Sequence, residues 1–235
     1  MQFHATVVTL FPEMFPGGLG YSLTGKALAE EKWLLDTVQI RDYALDKHHT
    51  VDDTPYGGGA GMVMKPDVVS SALDAAVKLG TEGRRKIYLT PRGQPFTQKM
   101  ARDYAANAEG LILLCGRYEG VDQRVIEDWQ MEEVSVGDFI LTGGELPAQI
   151  ILDAVVRLLP NVLGNRESLE NESFELGILE YPQYTKPQNW KNKIVPDVLL
   201  SGDHQKIAKW RQEEAERITR ERRPDLWQAF LKSRD

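Results

Sequence analysis

The spacing of hydrophobic and polar positions changes character along the chain. Gln2–Leu10 (QFHATVVTL) is β-branched and partly alternating, which predicts a strand. Thr37–Arg41 predicts a second. Pro66 suits a first helical turn, and Val68, Val69, Ala72, Ala76 and Leu79 follow at helical spacing, with Gly80 as a stop. Lys86–Thr90 (KIYLT) predicts a short strand, and Thr97 an N-cap for a helix reaching about Asn107. Leu111–Cys115 (LILLC) is apolar throughout, the pattern of a central strand covered on both faces. Val121–Gln130 predicts a helix, Glu133–Val136 a strand and Glu145–Leu159 a long apolar helix. Strands alternating with helices predict an α/β fold with a mostly parallel sheet.

The periodicity then stops. Pro160–Pro187 is a long, polar, acidic connection containing Gly164, Gly177 and Pro182, and loops of this length are usually functional or disordered. Beyond it, Ser201–Asp203 can cap a helix from about His204 to Arg222, with Ile207, Trp210, Ala215 and Ile218 on one side. Pro224 opens a final short helix carrying Leu226, Trp227, Phe230 and Leu231. The expected organisation is a sheet domain at 1–160, a linker at 161–187 and a small all-α domain at 188–235.

Composition narrows the class. Cys115 is the only cysteine among 235 residues, so an intrachain disulfide and a Cys-rich zinc site are excluded. The N-terminus lacks the charge and length of a signal peptide, and no apolar run is long enough to span a bilayer. A cytoplasmic location is expected. The net charge of −7 argues mildly against a nucleic-acid partner. That charge is uneven, however: from Ser201 onward nine Lys+Arg face seven Asp+Glu, a balance of +2 that leaves −9 elsewhere. A solvated helix face with internal ion pairs accounts for such a tail without any ligand.

Glycine marks the candidate chemistry. Gly20–Lys26 has the spacing of a phosphate-binding P-loop, but Ala27 stands where Ser or Thr would hold magnesium, and no buried strand precedes it. The match reads as chance. In Val51–Lys65 (VDDTPYGGGAGMVMK), Gly57, Gly58, Gly59 and Gly61 allow backbone to approach a planar ligand. Three further loops, Thr90–Gly93, Gly116–Gly120 and Gly137–Glu145, follow three successive predicted strands. Ligands of open α/β sheets sit beyond such strand ends, so the loops predict one shared pocket. None matches GxGxxG, so a dinucleotide fold is not supported.

These strings, with LFPEMF at 10–15, YLTPRGQPF at 88–96, LLCGRYEGVDQR at 113–124, VSVGDFILTGGELPAQ at 134–149, ESF and YPQYTKP in the linker and VLLSGDHQKIAKWR at 198–211, resemble the bacterial tRNA (guanine-N1)-methyltransferases across nearly the whole chain. Their number, order and spacing make the resemblance specific. It implies a SPOUT-class fold with a C-terminal trefoil-type knot, and a homodimer whose active sites are shared between subunits. It also implies methyl transfer from S-adenosylmethionine to guanine 37 of tRNA, and a need for magnesium with unknown ligands. Nothing in the spacing itself shows a knot.

The resemblance assigns a cofactor cradle to Tyr88, Leu89, Pro91, Gly116, Tyr118, Glu119, Gly120, Ser135, Val136, Gly137, Leu141, Gly143, Gly144 and Pro147, with Glu180 from the other subunit. Asp52, Tyr56, Gly58, Gly59 and Ser173 resemble the guanine pocket, which a base reaches by leaving the anticodon stack. Lys206, Lys209, Arg211, Arg217, Arg220 and Arg222 are expected to face anticodon-stem phosphates. Arg157 and Glu172 resemble the catalytic pair. N1 of guanine is a poor nucleophile until it loses its proton, so a carboxylate base and a cation near O6 meet the chemical demand. Without the resemblance, Arg157 reads as an i, i+4 partner of Asp153 and Glu172 as a solvated acid.

One departure stands out. The family position is usually Asp and this chain has Glu172, one methylene longer, with Glu170 as a neighbouring candidate. An RNA-binding module with a vestigial site, and a phosphotransferase resting on the defective P-loop, are the competing readings. The charge distribution predicts a tRNA binder of moderate, salt-sensitive strength.

Overall fold

The computed structural model describes residues 2–107, 109–163 and 172–234. The chain divides into two compact units, Met1–Gly164 and Asn165–Asp235. The expected boundary near 160 therefore shifts slightly, and residues 172–187, read from sequence as a connection, fall inside the second unit.

In the first unit five strands form one sheet: β1 (Phe3–Thr9), β2 (Trp33–Gln39), β5 (Arg85–Pro95), β6 (Gly110–Cys115) and β7 (Glu132–Ser135). Their order is β2-β1-β6-β5-β7 and every neighbouring pair is parallel. The central β6 explains its own apolar run. Leu111, Leu113 and Cys115 enter one core, while Ile112 and Leu114 enter the other, as alternation across a strand requires. The first core is closed by α1 (Ser22–Ala29), α3 (Gln98–Ala106) and α5 (Glu145–Val156). The second is closed by α2 (Pro66–Lys78) and α4 (Gln123–Asp128).

Local signals act as their chemistry predicts. Pro66 starts α2, and the Thr97 hydroxyl accepts from the Met100 N–H to cap α3. Three outcomes differ from the sequence reading, and the chance reading of the P-loop match is borne out. The second strand runs Trp33–Gln39, earlier than expected, because Trp33 is fully buried and anchors it. The segment of the P-loop match is α1 and a preceding 3-10 turn, Gly17–Gly20. A Cβ on Gly25 would meet the Gly20 carbonyl at 2.2 Å, so these glycines serve close packing. The glycine-rich loop begins and ends as a short antiparallel ribbon, β3 (Asp52–Asp53) with β4 (Val63–Met64). Finally, Thr90–Gly93 is a bulge inside β5: Leu89 and Gln94 both face Val134 of β7. Gly93 permits it, since a Cβ there would lie 2.3 Å from the Val134 nitrogen.

The second unit holds β8 (Asn189–Trp190), β9 (Lys193–Ile194), α6 (His204–Arg222) and α7 (Pro224–Lys232). The Asp203 carboxylate caps α6 through the Gln205 and Lys206 N–H groups. Its core is small: Ile178, Ala215 and Phe230, flanked by Tyr181 and Trp227. The expectation of an all-α unit is thus corrected, because β8 and β9 close an antiparallel ribbon through a two-residue loop. No helix among the described residues is long and apolar enough to cross a membrane.

Candidate active site

The loops after β6 and β7 and the bulge of β5 enclose one cavity of about 310 Å³. Every cradle residue implied by the resemblance lines it except Glu180, which belongs to the second unit. Thr90, Arg92, Arg117, Val134, Phe139, Ile140 and Thr142 line it too and were not anticipated.

Tyr88 holds the floor. Its ring is buried, and its hydroxyl accepts from the Val121 N–H at 3.2 Å. Cβ atoms on Gly116 and Gly120 would sit 3.0 and 2.9 Å from that ring and hydroxyl, and Gly120 has φ +116°. Glycine suits both positions: at Gly120 the positive φ favours it, and at Gly116 a side chain would press on the tyrosine ring. Burial pushes the Tyr88 hydroxyl pKa up, so it stays protonated and able to donate.

The far wall is pinned by charge. Arg117 Nη2 lies 2.8 Å from Glu145 Oε2, and Glu145 is 1% exposed at the start of α5. Glu145 Oε2 has no well-angled hydrogen bond, so this is a close charge contact. Its other oxygen accepts from the Thr9 hydroxyl at 2.7 Å. Arg117 Nη1 donates to the Thr142 carbonyl at 3.1 Å, and the guanidinium stands 4.3 Å from the Phe11 ring centroid. The Gly144 N–H donates to the Gly116 carbonyl at 3.0 Å. Loops after β6 and β7 are thereby locked to each other and to the end of β1. Beneath them the Cys115 thiol is raised well above its ordinary pKa, first by burial and then by Glu145, and is inert.

The glycine-rich segment is stitched to the same wall. The Glu119 N–H donates to the Met62 carbonyl at 2.9 Å, and the Met64 N–H to the Gly120 carbonyl at 2.9 Å. A Cβ on Gly61 would fall 2.3 Å from Glu119 Oε1, so the carboxylate lies over that glycine. Asp52 sits in the ribbon opposite Met64. Tyr56 is 99% exposed, and Gly58 and Gly59 have positive φ with open space around them. The structure thus brings the candidate guanine loop against the cavity wall that bears Glu119.

Arg157 is the C-cap residue of α5 and is half-buried. Glu172 lies in the second unit on a groove of about 270 Å³, with Glu180, Tyr181, Arg211 and Gln212. Ser173 accepts there from the Glu180 N–H at 3.1 Å. Glu170 lies outside the described residues. Most cations of the tail have partners. Lys206 meets Asp203 at 3.1 Å, Lys209 meets Glu213 at 3.8 Å, and Arg217 meets Glu214 and Glu221 at 2.7 and 2.8 Å. Arg211 and Arg220 lie over the rings of Tyr181 and Trp227. Arg222 is exposed. The ion-paired surface that charge alone suggested is therefore present on α6, with Arg217 as its node.

Arg117 and Glu145 were missed as a pair, although both lie in glycine-bearing loops already singled out, Gly116–Gly120 and Gly137–Glu145. Nothing in one dimension signals a charge pair 28 positions apart.

A family model described as tRNA (Guanine-1)-methyltransferase TrmD matches residues 1–229. A protein named tRNA (guanine-N(1)-)-methyltransferase from Brucella ovis is 63% identical over 233 residues, covering 99% of this chain and 95% of its own length. The protein of the same name from Brucella abortus (strain S19) is likewise 63% identical, with 93% of its length covered. With a match of that extent, the chain belongs to the tRNA (guanine-N1)-methyltransferase family.

Proposed function

We propose that this protein transfers a methyl group from S-adenosylmethionine to N1 of guanine 37 in tRNA, next to the anticodon, as an enzyme of the cytoplasm. The observation that carries the reading is the strand-end cavity, in a chain matched along nearly its whole length by this family. The residues fit the cofactor. Glycine-bearing loops leave backbone donors and acceptors open, Leu89, Val136, Leu141 and Pro147 supply an apolar slot, and the Glu119 carboxylate suits a cationic end. When bound, S-adenosylmethionine supplies an electrophilic methyl group on a sulfonium.

The chain's own residues do the rest. Glu172 accepts the N1 proton, which frees the N1 electron pair to form the new bond. Arg157 faces the negative charge that grows on O6. Asp52, Tyr56 and Ser173 hold the extruded base by its polar edge and its face. Glu172 and Arg157 belong to different units, and the reading joins them in a homodimer whose sites draw on both subunits. An apolar surface at the cavity rim supports that: Phe139 and Ile140 are exposed beside it, and Leu146 and Ile150 are exposed on α5. The trefoil-type threading belongs to the same proposal. Its support is the tight passage of Gly144 past the end of β6, where a Cβ would lie 2.7 Å from the Cys115 Cα. Magnesium, implied by the resemblance, is assigned no ligand: among the described residues no group of three or more His, Cys, Asp or Glu side chains stands together.

The test is transfer of a labelled methyl group to unmodified tRNA bearing G at position 37, against the same tRNA bearing A. Transfer to the first alone is expected. Binding without transfer overturns the reading in favour of an RNA-binding module.

A further inference from the structure

The second unit also presents a basic ribbon that the proposed reaction leaves unassigned. In β8 and β9, Trp190 stands opposite Lys193. The two-residue loop between them is Lys191–Asn192, with φ of 53° and 63°. Hairpin loops with two positive φ values favour Asn-Gly or Asp-Gly. A lysine at the first position sits in a conformation that residues with a Cβ rarely adopt. The tip is braced as well: the Asn189 side chain accepts from the Asn192 N–H at 3.1 Å, and the Val195 N–H donates to the Gln188 carbonyl at 3.0 Å.

The electrostatics are equally local. Residues 181–196 contain Lys186, Lys191 and Lys193 and no Asp or Glu, in a chain of net charge −7. Among the described residues, none of these lysines has a carboxylate partner, whereas Lys206, Lys209 and Arg217 of α6 each do. Trp190 is 55% exposed, and Lys191 Nζ stands 4.9 Å from its ring centroid.

We propose that this ribbon is an RNA-docking element, in which Lys186, Lys191 and Lys193 contact backbone phosphates and Trp190 packs on a base or ribose face. It rests on the reading of tRNA as substrate and says which part of the second unit grips it. An unpaired lysine exchanges condensed counterions for itself at no internal cost, while a lysine already held by a carboxylate must first give up that partner. An exposed indole adds a stacking face that tolerates any base.

The test uses the full-length protein and unmodified tRNA bearing G37, with binding measured over a salt series. A K191G/K193A variant removes two charges while giving the loop a residue that tolerates positive φ. Its Kd should rise about 5- to 20-fold at 0.1 M salt, and the slope of log K against log salt should shrink by about 0.7–0.9 per lysine. The loss should fall on KM for tRNA more than on kcat. W190A should weaken binding about 3- to 10-fold and W190F much less. K78A/K99A removes equal charge from exposed positions of the first unit and should change Kd less than twofold. An unchanged Kd and salt slope in K191G/K193A overturns the proposal, as does an equal loss in K78A/K99A. Should wild type bind tRNA without methylating it while the ribbon variant loses binding, the ribbon stands and the reaction falls. A wild type that does not bind tRNA overturns both.

Discussion

Arg117 in the first unit and Arg217 in the second each meet carboxylates at under 3 Å, yet the two contacts do different work. Arg117 meets a carboxylate that is almost wholly buried, with Thr9 on the other oxygen and Phe11 against the guanidinium. Arg217 meets Glu214 and Glu221 on an open helix face. The buried pair cannot exchange its partners for water without a large cost, so it fixes where three loops stand. The exposed pair is screened by solvent and contributes little to stability. One unit encloses a shaped cavity, with glycines at close approaches and charge locked beneath. The other has a small core and a polar, ion-paired surface. Cofactor binding suits the first and a long anionic partner the second.

The largest expected effect separates chemistry from architecture. Glu172→Gln should lower single-turnover methylation by about 10²- to 10⁴-fold, the usual scale of a positioned general base, while cofactor affinity stays put. Near-normal transfer would remove Glu172 from the mechanism.

Next comes the buried pair. Glu145→Ala leaves the Arg117 charge uncompensated beside the cavity and should cost about 3–5 kcal/mol in a denaturant titration. Arg217→Ala, cutting an equally short contact in the other unit, should leave the denaturant midpoint nearly unchanged, because the pair is exposed and screened. Equal losses would erase the contrast between the units.

Glycine gives a third comparison. Gly93→Ala drives a Cβ into the Val134 backbone and should cost about 1–3 kcal/mol with a loss of cofactor affinity. Gly202→Ala meets open space at φ +69°, so only backbone strain of about 1–2 kcal/mol applies, with cofactor affinity untouched. Thermal melts with and without cofactor separate the two.

The smallest effect concerns acid. The Arg223 side chain hydrogen-bonds Asp225 and pulls its pKa down to about 2. The folded value lies below the unfolded one of about 3.9, so the contribution is present above about pH 4 and fades as pH falls through 2. Circular dichroism of wild type and Asp225→Asn should differ slightly at pH 5 and converge near pH 2. In 1 M salt the difference should shrink everywhere, since the pair is exposed.

Much of this was legible in one dimension because the signals are local. LILLC is the central strand, and Thr97 and Asp203 cap their helices by side-chain hydrogen bonds. The three glycine-bearing loops predicted a common cavity, and the structure places them around one. The phosphate-loop spacing of Gly20–Lys26, read as chance, is α1 and the turn before it, with Gly25 packed closely on Gly20. Elsewhere the sequence was silent. The acidic stretch after Pro160 has no period, but Ile178 is buried against Ala215 and Phe230, a contact that helical or strand spacing does not encode.

The sequence alone determined the alternation of strands and helices, the caps, the apolar central strand and the positions where glycine clusters. Each depends on residues within a few places of one another, where φ/ψ preference and side-chain reach decide the outcome. Only the tertiary structure decided that Thr90–Gly93 bulges out of β5 against Val134, that Glu145 is buried on Arg117 and Thr9, that Glu119 lies over Gly61, and that among the described residues Lys186, Lys191 and Lys193 meet no carboxylate while Lys206 and Lys209 of α6 do. Those facts depend on which distant groups share a dielectric and a volume, and parallel strand pairing brings such groups together from far apart in the chain.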